Sequence, residues 1–153
     1  MPKVTVWETP KAGSLANLVQ KQRPLPPLSA GHLRVQVHAV GLNFADIFAL
    51  TGLYSATPEG AFIPGLEFAG TVIGTGSDTD NTDSAFQIGD RVMGVTRFGG
   101  YCSIIDSEPD YLIPLPDDWS FAQGAAFPAQ TLTAWSALTT LRAIQPEQRV
   151  LIP

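Results

Sequence analysis

Glycine and proline cut the first 116 residues of this chain into short pieces, and that constraint rules out most folds. The 153 residues hold 14 glycines and 13 prolines, with no collagen-like period. Proline cannot donate to a backbone ladder, and glycine marks turns and close approaches of the chain. Between them lie apolar runs only a few residues long. Leu33–Val40 alternates, with Leu33, Val35, Val37 and Ala39 on one side and Arg34, Gln36 and His38 on the other. Val4–Trp7, Phe68–Ile73, Arg91–Val95, Tyr101–Ile105 and Tyr111–Ile113 complete the strand candidates. Many short strands between turn signals predict a mainly β barrel or sandwich with a few helices, not a doubly wound sheet.

Three helices are expected. Asn43 can cap the first by accepting from backbone N–H groups, with Asp46 three residues on and Gly52 as the stop. Ser120 and Gln123 form a capping-box pattern at the head of Ala122–Phe127. Thr131–Arg142 carries Leu132, Trp135, Leu138 and Leu141 at helical spacing, just after Pro128. Pro146 then ends helical structure, and Arg149–Ile152 reads as a strand. The run Ser77–Ser84 has the acidic spacing of a calcium loop. Counted from Asp78, the sixth position is Asp83 in place of glycine and the twelfth is Gly89 in place of glutamate, so a solvated hairpin loop is expected.

The net charge is −5 and no cluster of lysine or arginine occurs, which argues against nucleic-acid binding. No apolar run is long enough to span a membrane. The N-terminus has no basic region followed by an apolar stretch, so no secretory signal is expected. The one cysteine, Cys102, cannot form an internal disulfide. A reducing, cytoplasmic location follows as the expectation.

Two short runs carry most of the functional information: Gly41-Leu42-Asn43-Phe44-Ala45-Asp46 and Ile63-Pro64-Gly65-Leu66-Glu67-Phe68-Ala69-Gly70-Thr71. Each places single polar residues in apolar surroundings, as a scaffold does when it offers a few polar groups to a cleft. Further segments are Gly52-Leu53-Tyr54, Gly89-Asp90-Arg91-Val92, Gly99-Gly100-Tyr101, and Ala125-Ala126-Phe127-Pro128 followed by Leu132-Thr133-Ala134. In this order, across about residues 30–152, the chain resembles the quinone-oxidoreductase, or zeta-crystallin-like, branch of the medium-chain dehydrogenase/reductase superfamily. Members have a GroES-like, partly open β-barrel that carries substrate contacts, then a Rossmann domain that binds NADPH. The resemblance implies that residues 1–127 form the GroES-like substrate domain. Residues 128–153 then supply the linking helix and the first strand of a Rossmann domain that is otherwise absent, since no Gly-x-Gly-x-x-Gly turn occurs. A truncated chain is the expectation. Two departures stand out: the loop Ser77–Ala85 is longer than the family's usual connection, and Cys102 follows Tyr101 where the family usually has alanine.

The resemblance also bears on metal and cofactor. Zinc-dependent alcohol dehydrogenases share the fold and hold catalytic zinc with a cysteine, a His-Glu pair and a later ligand. The matching positions here are Asn43 and Leu66-Glu67, so no zinc is expected. In the family the residues matching Asn43 and Asp46 line the nicotinamide end of the cleft. The residue matching Tyr54 faces the substrate, and the one matching Thr133 contacts the nicotinamide. Asn43, Asp46 and Tyr54 are therefore the expected catalytic residues, and Asn43 and Thr133 the expected cofactor contacts. Each also has a structural reading: a cap, a dipole partner, a core cover and an interface methyl. Glu67, a lone charge in an apolar run, needs a partner, and Arg91 is a candidate.

The expected activity is zinc-independent hydride transfer from NADPH to a small-molecule quinone or enone. This chain supplies one side of the cleft and is not expected to be competent alone. The alternatives are half of an enoyl reductase or a non-enzymatic module that self-associates through an exposed C-terminal segment. A separate chain supplying the Rossmann domain is a further possibility.

Overall fold

A computed structural model describes residues 2–76, 86–145 and 147–151. The loop Ser77–Ala85 and Ile152 lie outside the described residues, so the calcium-loop comparison has no structural counterpart here. Strand β1 (Lys3–Glu8) pairs antiparallel with β2 (Val19–Pro24) as a separate two-stranded unit. The main sheet uses β3 (Leu33–Val40), β4 (Glu67–Thr75), β5 (Arg91–Val95), β6 (Ile104–Ser107) and β7 (Leu112–Pro114). They lie in the order β6-β3-β4-β5-β7, and every pair is antiparallel. Register shifts at Arg34/Val35 and Val37/Ala39 bend β3 against β4. Two isolated bridges, Val6 to Cys102 and Thr9 to Phe62, tie the hairpin to the rest.

The alternation read in β3 is the one the structure uses. Leu33 and Val35 are fully buried with Phe68, Val72 and Val92, and Phe86 and Leu112 complete that core. A second cluster, Ala69, Met93, Leu115 and Ala125, forms under helix α2 (Phe121–Ala125). A third, Ala49, Leu50 and Phe62, sits beneath helix α1 (Phe44–Thr51).

Local chemistry sets the helix ends. Asn43 is the N-cap of α1, and Gly52 closes it at φ 81°, the left-handed backbone that glycine adopts without a Cβ penalty. In α2, the Ser120 hydroxyl accepts from Gln123 N–H at 3.2 Å and Gln123 Oε1 accepts from Ser120 N–H at 2.9 Å. Helix α3 (Pro128–Ser136) begins earlier than the expected Thr131 and gives way to a π-helical turn at Ala137–Leu141. Proline starts α3 because the first helical N–H has no intrahelical acceptor.

Three further expectations need correction. Strand β2 was not expected: Val19–Pro24 is exposed along its whole length and has no apolar alternation. Its hold on β1 is polar, through Lys21 and Arg23 to Glu8 and Gln22 to Thr5. The strand expected at Tyr101–Ile105 begins only at Ile104, because Tyr101–Ser103 turns to bridge β1. Arg149, Val150 and Leu151 are not in a strand; among the described residues no neighbouring strand pairs with them.

Candidate functional site

The head of α1 gathers the polar groups that the sequence singled out. Asp46 is only 2% exposed, so its carboxylate must find donors inside the protein. It finds three. Oδ1 accepts from Gly65 N–H at 3.0 Å, while Oδ2 accepts from Asn43 N–H at 2.9 Å and from the Tyr101 hydroxyl at 3.1 Å. Asp46 thus fastens the start of α1 to the Pro64-Gly65 turn and to Tyr101. Burial, helped by the Asp46 charge, pushes the Tyr101 phenol well above its ordinary value. The phenol keeps its proton and donates a hydrogen bond to Asp46.

Glu67 makes a second junction. It is 3% exposed. Oε1 accepts from Asn43 Nδ2 at 2.9 Å, and Oε2 accepts from Ala129 N–H at 2.8 Å, in the first turn of α3. The carboxylate passes directly over Gly41. A Cβ on Gly41 would lie 2.2 Å from Glu67 Oε1 and 2.4 Å from the Ala125 carbonyl, so only glycine fits. Arg91 is not the partner of Glu67. Its guanidinium donates to the carbonyls of Pro116, Asp117 and Trp119 and covers the Phe121 ring at 4.9 Å. That guanidinium pins the loop after β7, an alternative that the positions of Glu67 and Arg91 in sequence could not distinguish.

Thr133 lies exposed on α3, and its hydroxyl donates to the Ala129 carbonyl at 2.7 Å. Asn43, Asp46, Glu67 and Thr133 are therefore linked by one set of hydrogen bonds. Tyr54 stands apart. It packs, half-buried, against the Ala49, Leu50 and Phe62 cluster, and its carbonyl accepts from Thr57 N–H and Oγ1. Its hydroxyl has no hydrogen-bond partner among the described residues. In the sequence Tyr101 stands only as the start of a strand candidate and in the Gly99-Gly100-Tyr101 segment, and no local signal marks its bond to Asp46 55 positions away.

A mostly apolar cleft of about 490 Å³ adjoins the Tyr101 side, lined among others by Trp7, Leu18, Val37, Leu42 and Cys102; Asn43, Tyr54 and Thr133 do not line it. Burial raises the Cys102 thiol to about 12, so it is neutral and a poor nucleophile. Around α1 and α3 the surface is apolar, with Phe44, Leu53 and Trp135 at 78%, 76% and 67% exposure. Among the described residues no group of three His, Cys, Asp or Glu side chains could hold a metal ion. No described helix is long and apolar enough to cross a membrane.

Comparison with known proteins agrees with this architecture. Residues 29–137 match the family described as the alcohol dehydrogenase GroES-like domain. The chain is 42% identical over 144 residues to a phenolphthiocerol-synthesis polyketide synthase of Mycobacterium bovis, covering 92% of this chain and 6% of that protein. It is 36% identical over 126 residues to mouse quinone oxidoreductase-like protein 2, covering 82% of this chain and 35% of the relative. Among solved structures, Escherichia coli quinone oxidoreductase complexed with NADPH superposes with a TM-score of 0.83 at 29% identity, over 94% of this chain and 43% of that one. The human synaptic vesicle membrane protein VAT-1 homolog-like protein gives 0.86 at 27% identity, over 94% and 45%. The CurK enoyl reductase gives 0.80 at 27% identity, over 95% and 45%. The chain thus spans less than half the length of each of these proteins.

Proposed function

This chain belongs to the alcohol dehydrogenase GroES-like domain family, and from that membership we propose that it forms the substrate-side part of an oxidoreductase working with a nicotinamide cofactor. The acceptor is a quinone or an activated alkene or carbonyl, and the chemistry does not need zinc. The observation that carries this reading is the commitment of both buried carboxylates. Asp46 and Glu67 are bound by backbone amides, an asparagine and a tyrosine. Asn43 and Leu66 stand where zinc-dependent relatives place cysteine and histidine. Nothing in that donor set resembles the thiolate and imidazole ligands that zinc prefers.

The same residues suit one end of a nicotinamide cofactor. Asn43 and Thr133 offer hydrogen-bonding groups on adjoining elements, and Thr133 is open to solvent. NADPH, when bound, supplies the hydride. The protein's part is to hold donor and acceptor close, worth up to about 7–11 kcal/mol of the barrier. In this reading the unpartnered Tyr54 hydroxyl donates to the acceptor's carbonyl and the Asp46–Tyr101 bond keeps α1 rigid. Asp46, with three donors on its two oxygens, orients its neighbours rather than transferring protons.

The test uses the protein in which this chain occurs, with NADPH and either benzoquinone or a crotonyl thioester. Quinone reduction supports the reading. Reduction of the thioester alone favours an enoyl reductase, the alternative that the 42% identity to a polyketide synthase supports. Turnover of neither overturns both. Residues 1–153 alone are expected to bind NADPH weakly, and micromolar saturation of their tryptophan fluorescence would contradict that.

A further inference from the structure

Asn43 and Thr133 are 90 residues apart in sequence, yet Glu67 and Ala129 join them: two hydrogen bonds meet on the Glu67 carboxylate, and a third reaches the Ala129 carbonyl. Asn43 Nδ2 donates to Glu67 Oε1 at 2.9 Å. Ala129 N–H donates to Glu67 Oε2 at 2.8 Å. Thr133 Oγ1 donates to the Ala129 carbonyl at 2.7 Å. Each proton in the run points inward. The Thr133 hydroxyl therefore meets a ligand with its lone pairs, and one of the two Asn43 amide protons is already committed.

We propose that Glu67 is the positioning residue of this site: one buried carboxylate joins the N-cap of α1 to the first turn of α3, and so fixes Asn43 and Thr133 in register against an N–H or O–H group of a bound ligand. The inference rests on reading Asn43 and Thr133 as ligand contacts. Four observations converge on Glu67. Both of its oxygens are used. One donor is the side-chain amide of the α1 N-cap, and the other is a first-turn backbone N–H of α3, which has no intrahelical acceptor. The neighbouring position is a glycine that leaves the carboxylate room. No lysine or arginine bonds to it among the described residues. The two amide donors dictate where each oxygen lies.

Donor and acceptor logic supplies a test that packing alone cannot mimic. Glu67→Gln keeps the shape but replaces one acceptor by a donor. If the new amide's oxygen serves Ala129, its NH2 faces the NH2 of Asn43; if it serves Asn43, its NH2 faces Ala129 N–H. The first arrangement avoids a clash only if the Asn43 amide turns over, which reverses the donor and acceptor that Asn43 offers a ligand. Asn43→Asp alone sets a second carboxylate against Glu67. Combining the two restores a donor opposite an acceptor, and aspartate remains a good N-cap. The expected result is reversed coupling: each single variant unfolds at lower urea, and the double variant recovers most of the loss. In nitrogen-15 spectra of the full chain, the Ala129 amide should exchange slowly. That protection should fall in Glu67→Leu, which offers Ala129 no acceptor, and persist in the double variant, whose glutamine oxygen can still serve it. Additive losses, or an Ala129 amide that exchanges freely in the unmodified chain, overturn the proposal.

The ligand part is read separately in the NADPH assay. Glu67→Gln should raise KM for NADPH about tenfold, whereas a smaller folded fraction would lower apparent kcat and leave KM alone. An unchanged KM overturns the positioning role even where the hydrogen-bond run is confirmed. Absence of turnover in the unmodified protein overturns the functional reading and the ligand part with it, while the urea cycle and the amide spectra still decide whether Glu67 joins the two helices.

Discussion

Two regions of this molecule solve the problem of a buried carboxylate in opposite ways. At the head of α1, Asp46 and Glu67 are held by backbone amides, an asparagine side chain and a phenol. On the β1–β2 hairpin, Glu8 is held by the ammonium of Lys21 at 3.1 Å and by the guanidinium of Arg23. Those cations are 44% and 49% exposed, although Glu8 itself is covered. The first arrangement has fixed donors and no mobile partner. The second depends on two long, solvated side chains that must be held in place, which weakens ion pairs in water. A site that must hold an angle uses the first; a strand pair that need only stay closed tolerates the second.

The largest difference between them should appear when the acid is removed. Asp46→Ala strands three donors, those of Gly65, Asn43 and Tyr101, and should cost about 3–5 kcal/mol in urea unfolding. Glu8→Ala leaves cations that turn into solvent and should cost about 1 kcal/mol or less. Equal losses would erase the distinction. Gly41→Ala comes next. The new methyl meets Glu67 Oε1 and the Ala125 carbonyl at 2.2 and 2.4 Å, and crowding of that kind costs about 1–3 kcal/mol. Gly13→Ala, with nothing within 4 Å of the added carbon, should show only the strain of its φ of 134°.

The same contrast explains what the sequence disclosed. Helix α1 was readable because its signals are local: Asn43 before it, Asp46 three residues in, and Gly52 at the stop. Strand β3 was readable because burial follows its alternation. Strand β2 was not, since Val-Gln-Lys-Gln-Arg-Pro buries nothing and its register comes from partners in β1. Glu67 was recognisable as a charge in need of donors, but the donors lie 24 and 62 positions away. Arg91, as far from Glu67 in sequence as Asn43 is, is not its partner because that side chain has three carbonyls of its own. The bond between Tyr101 and Asp46 was equally hidden.

A thiol between the two regions can report on both. Cys102 follows Tyr101, which Asp46 holds, and bridges Val6 in β1. With its ionisation pushed up to about 12 by burial, it should label slowly until one side opens. Asp46→Ala should speed labelling about tenfold, equivalent to about 1.4 kcal/mol of easier opening, and Glu8→Gln should speed it less. The reverse order would mean that the hairpin, not the α1 junction, shuts the thiol in.

The smallest effect is the pH dependence of the hairpin, and its sign follows from the partners. Hydrogen bonds from Arg23 and then Lys21 hold the Glu8 carboxyl below its usual range against the opposing effect of burial. The folded protein therefore binds a proton at Glu8 less readily than the unfolded chain does. The stabilisation is fully present above the unfolded value and is lost as pH falls through the lowered folded value. Acidification from neutral should leave the hairpin's contribution intact until the ordinary glutamate range is passed. Below it, Glu8→Gln and the unmodified chain should converge in stability, by about 1 kcal/mol or less. Salt should shrink the same gap at neutral pH, because both cations are accessible to counterions. The Asp46 variants should show no comparable response to salt, since the amide and phenol donors carry no net charge to screen. A strong salt effect at Asp46, or none at Glu8, would show that fixed and mobile donors do not separate these two regions.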